Sequence, residues 1–527
     1  MKKCSIAWAF VTAVAGCAAP HVSSVRTPPD FRQIAPLSTA TVTSRTPTLR
    51  WVMPNEVDGA RVELCRNRAM TSRCTTLDAT GTSVAPSSAL APGVWYWRAS
   101  PRTGGQIGSG TNAVWQFRVG ARSAGQDASW GTEPDFDGDG IADVAAGSGL
   151  DGHVFVFMGT SAGPSAMPAR SYAGTTVASA GDVDGDGFTD LVVGASSGAD
   201  SQSTAAVFLG GPLGPSMDAA VTLHESDGPT SDFGWSVAPL GDIDGDGYAD
   251  IAVGGNGAEH VWVFHGGPSG IDPSPTNTLS GRRIASAGDV NGDGFGDVIA
   301  EGGDGSWLGY AAFDVYFGSR MGIPDLGDDE VPTTTTMGVR AFSFGTGAGD
   351  VNGDGFADVL RTTIDTGSGT TIAIHLGGSA GLSHDSTVLQ TPMGSGGELG
   401  WRGAAAGDLN ADGFDDIAIG TGTIAPSDAS LSVFLGSATG ITAASTGTFV
   451  RDDTMCAEGG LAAAGDLDGD GVTDLAVGHS CAAPATTRST IDILRGDASG
   501  SLAAPTSAVP SPEPGPSGFG STIAGSL

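Results

Sequence analysis

The sequence predicts an all-β protein, a seven-bladed β-propeller preceded by a small β-sandwich. Three observations carry this expectation. An Asp-rich loop recurs seven times between residues 135 and 474, a turn framed by two glycines recurs with the same period, and residues 36–119 alternate apolar and polar side chains between turn signals. Glycine, at 85 of 527 residues, would suggest low complexity if it were scattered, but its placement follows the repeat.

Residues 1–16 read as an export signal outside the fold. Lys2 and Lys3 precede an apolar run from Ile6 to Ala15 that is too short to cross a bilayer. The tetrapeptide Val14-Ala15-Gly16-Cys17 resembles the lipobox of bacterial lipoproteins. That resemblance implies acylation of Cys17 after cleavage, and an exported protein lipid-anchored at the bacterial outer membrane or cell surface, touching the membrane through this anchor only. Residues 17–35, rich in Pro, Ser and Ala, are expected to be a flexible tether. Four of the six cysteines remain once Cys4 and Cys17 are set aside. Cys65 with Cys74, and Cys456 with Cys481, are expected to form local disulfides in an oxidising compartment, since no C-x-x-C or Cys/His set suggests a metal site.

The stretch 36–119 contains alternating runs such as Arg61-Val62-Glu63-Leu64, Val94-Trp95-Tyr96-Trp97-Arg98 and Trp115-Gln116-Phe117-Arg118-Val119. Period-two alternation between turns predicts an antiparallel sandwich. With Trp51 early, Tyr96-Trp97-Arg98 late and Trp115 in the last strand, it resembles a fibronectin type III domain. Residues 120–130 read as a linker, and 131–527 as the propeller.

The seven loops open at Asp135, Asp182, Asp242, Asp289, Asp350, Asp408 and Asp466, at intervals of 47 to 61 residues, room for about four short strands each. An apolar run follows each loop, as in Leu191-Val192-Val193-Gly194, and a later strand ends at a glycine, three residues and a second glycine. That turn begins at residues 159, 210, 266, 318, 377, 436 and 496. Strand-only units of this size cannot bury their faces alone, so they stack radially as blades. The last residues, Phe519 to Leu527, match the small-residue strand that precedes the other loops, as in Phe233-Gly234-Trp235-Ser236, and are expected to complete the first blade.

Within each loop, positions one, three and five are Asp or Asn, position six is Gly and position nine is Asp. Short oxygen-bearing side chains at alternate positions converge when the backbone wraps, and the glycine permits the sharp turn. Such a cage suits a hard cation taking six to eight oxygens, and calcium fits better than the strictly octahedral magnesium. The candidate ligands, with the position-seven residue giving its carbonyl, are Asp135, Asp137, Asp139, Ile141 and Asp143 in the first loop, then Asp182, Asp184, Asp186, Phe188 and Asp190. The third and fourth loops offer Asp242, Asp244, Asp246, Tyr248 and Asp250, and Asp289, Asn291, Asp293, Phe295 and Asp297. The last three offer Asp350, Asn352, Asp354, Phe356 and Asp358; Asp408, Asn410, Asp412, Phe414 and Asp416; and Asp466, Asp468, Asp470, Val472 and Asp474. Up to seven Ca²⁺ are expected, the sixth loop being the weakest candidate because Ala411 stands where the others have Gly.

These loops start like an EF-hand, but the last acid comes at position nine and a strand follows in place of a helix. Together with Phe233-Gly234, Phe344-Gly345, Phe519-Gly520 and the Gly-Ala pair at 194–195, they resemble the FG-GAP repeat family, the propeller of integrin α-subunits and many bacterial surface proteins. The resemblance implies calcium loops joining blade strands.

The net charge of −34 argues against a nucleic-acid backbone or an anionic bilayer surface as partner. Twenty-five of the 58 acids are candidate ligands in the loops. Gly159-Thr160-Ser161-Ala162-Gly163 and Gly377-Gly378-Ser379-Ala380-Gly381 match the nucleophile-elbow pattern, and Arg495-Gly496-Asp497 spells a cell-attachment tripeptide, but all three are copies of the repeated turn. With nearly every residue assigned to signal, sandwich or blade, no catalytic segment is left over. The expected role is a non-enzymatic binding or adhesion module for a surface protein or glycan, with the sandwich as spacer. The alternatives are an extracellular enzyme acting on polysaccharide or lipid, and a structural envelope component.

Overall fold

Apolar residues at alternate positions give each amino-terminal strand one buried face. The strands are β1 (Arg32–Ala35), β2 (Thr41–Val42), β3 (Leu49–Val52), β4 (Gly59–Cys65), β5 (Thr75–Thr80), β6 (Ser83–Val84), β7 (Gly93–Thr103), β8 (Gln106–Ile107), β9 (Trp115–Val119) and β10 (Ser129–Trp130). One sheet is β1-β3-β6; the other runs β10-β2-β9-β7-β4-β5, with β8 folded onto β7. Trp51, Val62, Leu64, Trp97 and Phe117 fill the space between them, and Trp97 meets Trp115 edge-on at 6.0 Å. A disulfide joins Cys65, at the end of β4, to Cys74 just before β5.

The computed structural model describes residues 31–525 apart from 109–111, 125–128, 150–151, 197–202, 226–231, 257–259, 282, 303–311, 324–340, 366–368, 384, 390–397, 423–429, 444–446, 451–455, 482–488, 498–506 and 513–517. The signal segment, Cys17, the tether to residue 30 and the last two residues lie outside the described residues.

Two domain boundaries differ from expectation. The tether ends earlier than residue 35, because β1 pairs antiparallel with β3 (Gln33 opposite Trp51) and the sandwich begins at Arg32. The linker expected over 120–130 is partly sheet: β10 pairs with β2, and the Ala124 N–H donates to the Thr43 carbonyl. Both segments satisfy strand edges that would otherwise be open.

From Val144 onward the chain forms small antiparallel sheets consistent with propeller blades. In chain order the strands are β11 (Val144–Ser148), β12 (His153–Phe157) and β13 (Arg170–Ala173); β14 (Thr176–Gly181), β15 (Asp190–Ala195), β16 (Thr204–Phe208) and β17 (Val221–Leu223); β18 (Phe233–Gly241), β19 (Asp250–Gly255), β20 (His260–Phe264) and β21 (Asn277–Ser280). There follow β22 (Arg283–Gly288), β23 (Asp297–Gly302) and β24 (Ala312–Tyr316); β25 (Ala341–Gly349), β26 (Asp358–Asp365), β27 (Gly369–His375) and β28 (Ser386–Leu389); and β29 (Glu398–Gly407), β30 (Asp416–Gly422), β31 (Ser430–Phe434) and β32 (Gly447–Val450). The last are β33 (Cys456–Gly465), β34 (Asp474–Cys481), β35 (Thr490–Leu494), β36 (Ser507–Pro510) and β37 (Phe519–Ile523).

Each group pairs in sequence order within itself, except that β37 joins β11 as the fourth strand of the earliest sheet. Thr522 lies opposite Gly147 in that pairing. The leading strands pack on one another in turn, β14 on β18, β18 on β22, β22 on β25, β25 on β29, β29 on β33, β33 on β37 and β37 on β14. Both faces of each inner sheet are therefore covered, which explains unbroken apolar runs such as Leu191-Val192-Val193. Between the second and third groups, Phe233, Trp262 and Phe264 interlock with Val192 and Val207. Cys456 and Cys481 stand directly opposite on β33 and β34; their side chains lie outside the described residues.

Candidate metal centres

Six of the Asp-rich loops connect a leading strand to the next strand of their sheet, the first lies between β10 and β11, and in all seven the loop's own side chains hold it in shape. Asp135 at position one accepts the N–H of Gly138 on Oδ1 (2.7 Å) and of Gly140 on Oδ2 (3.1 Å). The Asp139 carboxylate at position five accepts the N–H of Ile141 at position seven, 2.9 Å, and the equivalent bond recurs at Phe188, Tyr248, Phe295, Phe356, Phe414 and Val472. Gly140 adopts φ 100° and Gly247 96°, a region open to glycine at little cost.

The aspartate at position nine joins the two repeated landmarks. Asp143 Oδ2 accepts the N–H of Phe136 (2.8 Å), and its Oδ1 accepts the N–H of Gly159 (2.7 Å), the glycine that opens the turn. The same two bonds recur at Asp190, Asp250, Asp297, Asp358, Asp416 and Asp474. One buried carboxylate thus clamps each loop to the turn of its own sheet, so the common period of loop and turn has a physical cause.

Four loops bring three acids together with ligand oxygens within 4.8 Å of one another: Asp135, Asp137 and Asp143; Asp182, Asp184 and Asp190; Asp242, Asp244 and Asp246; and Asp466, Asp468 and Asp474. The other three loops have Asn291, Asn352 and Asn410 at position three. There the amide oxygen takes the place of a carboxylate oxygen, accepting the position-five N–H at 2.9, 2.9 and 3.0 Å.

Burial pushes Asp143, Asp358 and Asp474 up to about 8, against the pull of the backbone donors. It pushes Asp182 and Asp289 up to about 7, and Asp350, Asp408 and Asp466 up to about 6. Asp190, Asp242, Asp250, Asp297 and Asp416 are raised well above the ordinary range by burial and by neighbouring loop carboxylates. Buried, mutually repelling oxygens of this kind are stabilised by a cation among them. An all-oxygen set of short side chains fits calcium.

Neighbouring loops are tied together. The N–H at position eight donates to the position-one carbonyl of the preceding loop: Thr189 to Asp135, Ala249 to Asp182, Gly296 to Asp242, Ala357 to Asp289, Asp415 to Asp350 and Thr473 to Asp408, over 2.9 to 3.4 Å. Ala142 of the first loop donates to Asp466 of the last at 2.8 Å, so this chain of bonds has no free end.

The position-seven side chain also lies on the position-four glycine of the loop before it. A Cβ on Gly138 would stand 2.6 Å from the Phe188 ring, and one on Gly245 2.8 Å from Phe295. Gly469 faces Ile141 instead, at an ordinary 3.4 Å. This accounts for Ala411 (φ 57°): the loop after it carries Val472 in place of a ring, and the two line one crevice. Ala411 is a packing accommodation, and Asp408, Asp412 and Asp416 around it keep the hydrogen bonds of the other loops. Gly138→Ala is expected to cost about 2–4 kcal/mol, from overpacking and a left-handed backbone. Ala411→Gly should stay within about 1 kcal/mol. Urea unfolding in calcium measures both, and equal midpoints for the two variants would refute the packing account.

The sandwich sits on this loop face. Gln116 Nε2 donates to Asp182 Oδ2 at 2.7 Å, Trp115 Nε1 to the Gly245 carbonyl at 3.1 Å, and Arg68 Nη1 to the Gly247 carbonyl at 2.9 Å. Arg68 lies 3.7 Å over the Tyr248 ring and Arg32 4.7 Å over Phe295. Arg118 pairs with Glu133 and, at 2.6 Å, with Asp135 Oδ2. Burial acts to discharge Arg118, but these two carboxylates overcome it and hold its pKa above the ordinary value. The expectation of a spacer is corrected by these contacts, which make the sandwich a cap on the loops. Their one signal in the sequence is the share of the 24 basic residues, among them Arg32, Arg68 and Arg118, that falls in so acidic a chain's sandwich. Arg118→Ala would leave Glu133 buried without its counter-charge, at a cost of about 3–5 kcal/mol. An unchanged denaturant midpoint would rule that out.

The other motifs resolve into local contacts. Arg495 bonds Asp468 Oδ2 at 2.6 Å and the Ala162 carbonyl at 3.1 Å, so the arginine of the attachment-like tripeptide is engaged by the seventh loop. His265, in the equivalent place, meets Asp244 Oδ2 at 3.0 Å. In the turn at 159–163, Thr160 Oγ1 donates to the Gly163 carbonyl at 2.6 Å, which is turn chemistry.

The profile of the FG-GAP-like repeat matches residues 135–193 and 242–300. Integrin alpha-PS2 of Drosophila melanogaster is 33% identical over 171 residues, 28% of this chain and 12% of that protein. Integrin alpha-4 of Xenopus laevis is 31% identical over 138 residues, 23% of this chain and 13% of that protein. The chain thus spans about an eighth of the length of these curated relatives. The solved structure of an exotype rhamnogalacturonan lyase aligns over 90% of this chain and 83% of its own, with 14% identity and a TM-score of 0.33. The chain carries FG-GAP-like repeats at residues 135–193 and 242–300 and has distant integrin α-like homology.

Proposed function

We propose that these FG-GAP repeats close into a seven-bladed propeller holding up to seven Ca²⁺, completed by β37, and that the protein is a non-enzymatic binding or adhesion module for a surface protein or glycan. In this reading it is exported and lipid-anchored through Cys17, and the fibronectin type III-like sandwich is a fixed part of the binding head. The observation that carries the proposal is the position of the sandwich. It occupies the calcium-loop face, so a partner engages the opposite face, toward which the second strand of each sheet runs before a third strand that follows three to nine residues later in sequence. Variable connections on a rigid scaffold are where recognition is usually placed. Calcium then acts by holding the scaffold.

The test is a screen of glycans and surface proteins against the full chain, with and without chelator. A ligand retained in calcium and lost on chelation is expected. Failure to find any calcium-dependent ligand would sink the reading. Processing at Cys17 is checked separately by metabolic labelling with palmitate, which Cys17→Ser should abolish.

A further inference from the structure

The residue just before the glycine that opens each repeated turn lies beside the turn of the next sheet. A Cβ on Gly214 would stand 3.2 Å from Met158, and one on Gly381 2.8 Å from Phe317. In five of the seven copies this residue is apolar: Met158, Leu209, Phe317, Leu376 and Leu435. The third copy has His265 and the last has Arg495, whose guanidinium is charged at every pH the protein meets.

Arg495 faces two ways. Its Nη2 donates to the Ala162 carbonyl in the turn of the earliest sheet at 3.1 Å, and its Nη1 lies 2.6 Å from Asp468 Oδ2 in the seventh loop. The other oxygen of Asp468, Oδ1, accepts the N–H of Asp470 at 3.1 Å. The Asp468 side chain is only 8% exposed, and it is one of three acids, with Asp466 and Asp474, whose ligand oxygens come within 4.8 Å of one another. The guanidinium therefore sits on a candidate calcium ligand in a sheltered place, where a charge-assisted hydrogen bond is strong. Arg122 also reaches this loop, but its contact with Asp470 is 3.5 Å long between side chains 48% and 43% exposed, and it counts for little. The second loop has the same four aspartates, and Leu209 in this place brings no charge to them.

The seventh loop is also a joint between chain ends, since Ala142 of the first loop donates to its Asp466 carbonyl at 2.8 Å. A positive charge that bridges this loop and the earliest sheet holds the joint when no metal is bound. It also opposes a second positive charge among the same oxygens.

We propose that Arg495 is a resident counter-charge of the seventh loop, which keeps the joint between the last and earliest sheets formed without metal and lowers the calcium affinity of that loop. The inference rests on the calcium reading of the loops.

Chelator-competition titrations and thermal scans on the full chain, with Arg495→Met and Arg495→Lys, test it. Methionine is the residue the first copy carries in this place, and lysine keeps the charge. In Arg495→Met one site should bind calcium about tenfold more tightly than in the parent, with the others unchanged, because a charge-assisted hydrogen bond no longer has to be given up. The isotherm of Arg495→Lys should stay close to the parent's. The melting temperature of Arg495→Met should fall below the parent's in EGTA and equal or exceed it in calcium, whereas loss of a residue that served packing alone would lower both. Superimposable isotherms for parent and Arg495→Met, equal tightening in both variants, or a melting temperature lowered as much in calcium as in EGTA would each overturn the role of Arg495 and leave calcium binding standing. A parent chain that bound no calcium would overturn the calcium reading, and this inference with it.

Discussion

Calcium withdrawal with EGTA at pH 8 is expected to lower the melting temperature by on the order of 20 °C, and to lower it far less at pH 5. A site bathed in a hundredfold excess of free calcium over its Kd gains about 2.7 kcal/mol, and several such sites act on one fold. The pH dependence follows from the direction of the carboxylate shifts. Asp143, Asp358 and Asp474 are pushed up to about 8 in the folded, metal-free protein, far above the ordinary range of an unfolded aspartate near 3.9. The folded state therefore holds more protons than the unfolded state between about pH 4 and pH 8, and metal-free stability falls as pH rises through that window. With calcium the order reverses, because the ion binds the deprotonated carboxylates that a proton would otherwise occupy. Calorimetric scans at both pH values, with and without EGTA, measure the effect. A metal-free protein more stable at pH 8 than at pH 5 would contradict the assignment.

Removal of residues 516–527 should be nearly as damaging. Phe519 on β37 is fully buried and meets Phe155 and Phe157 edge-on at 6.0 and 5.9 Å. Phe519→Ala alone is expected to cost about 3–5 kcal/mol. The deletion goes further, since it also unpairs β11 and strips contacts from β33 and β14. An unpaired β11 edge is a template for association, so the truncated protein should melt lower and aggregate on heating. Light scattering during a thermal ramp reads both, and a truncated chain that melted like the parent would show that β37 adds nothing to the fold.

The parts of this architecture that depend on local backbone geometry were legible in the sequence. Asp at positions one and nine, with Gly at position six, is required wherever a nine-residue loop must fold on itself, so the pattern survives in all seven copies. What could not be read was set by contacts between distant segments. Arg32-Gln33-Ile34-Ala35 runs into Pro36 and lacks alternation, and it is a strand only because β3 presents an edge to it. Ser129 and Trp130 are too short a segment to carry a period. The docking of the sandwich is spread over single residues such as Arg68, Trp115, Gln116 and Arg118, whose common destination appears only once the sheets are stacked. Ala411 read as a defect because the side chain that excuses it, Val472, belongs to the next copy.

The unbroken circuit of loop-to-loop hydrogen bonds, from Ala142 back to Asp466, also governs cooperativity. A linear array of repeats frays from its terminal units, each of which has one neighbour. A circular array has no terminal unit, so every loop is held from two sides and none is a preferred place for melting to begin. Opening of one loop loosens two neighbours at once, and the transition spreads in both directions around the circuit. Unfolding of such a lattice becomes a single sharp event instead of a sequence of partial ones.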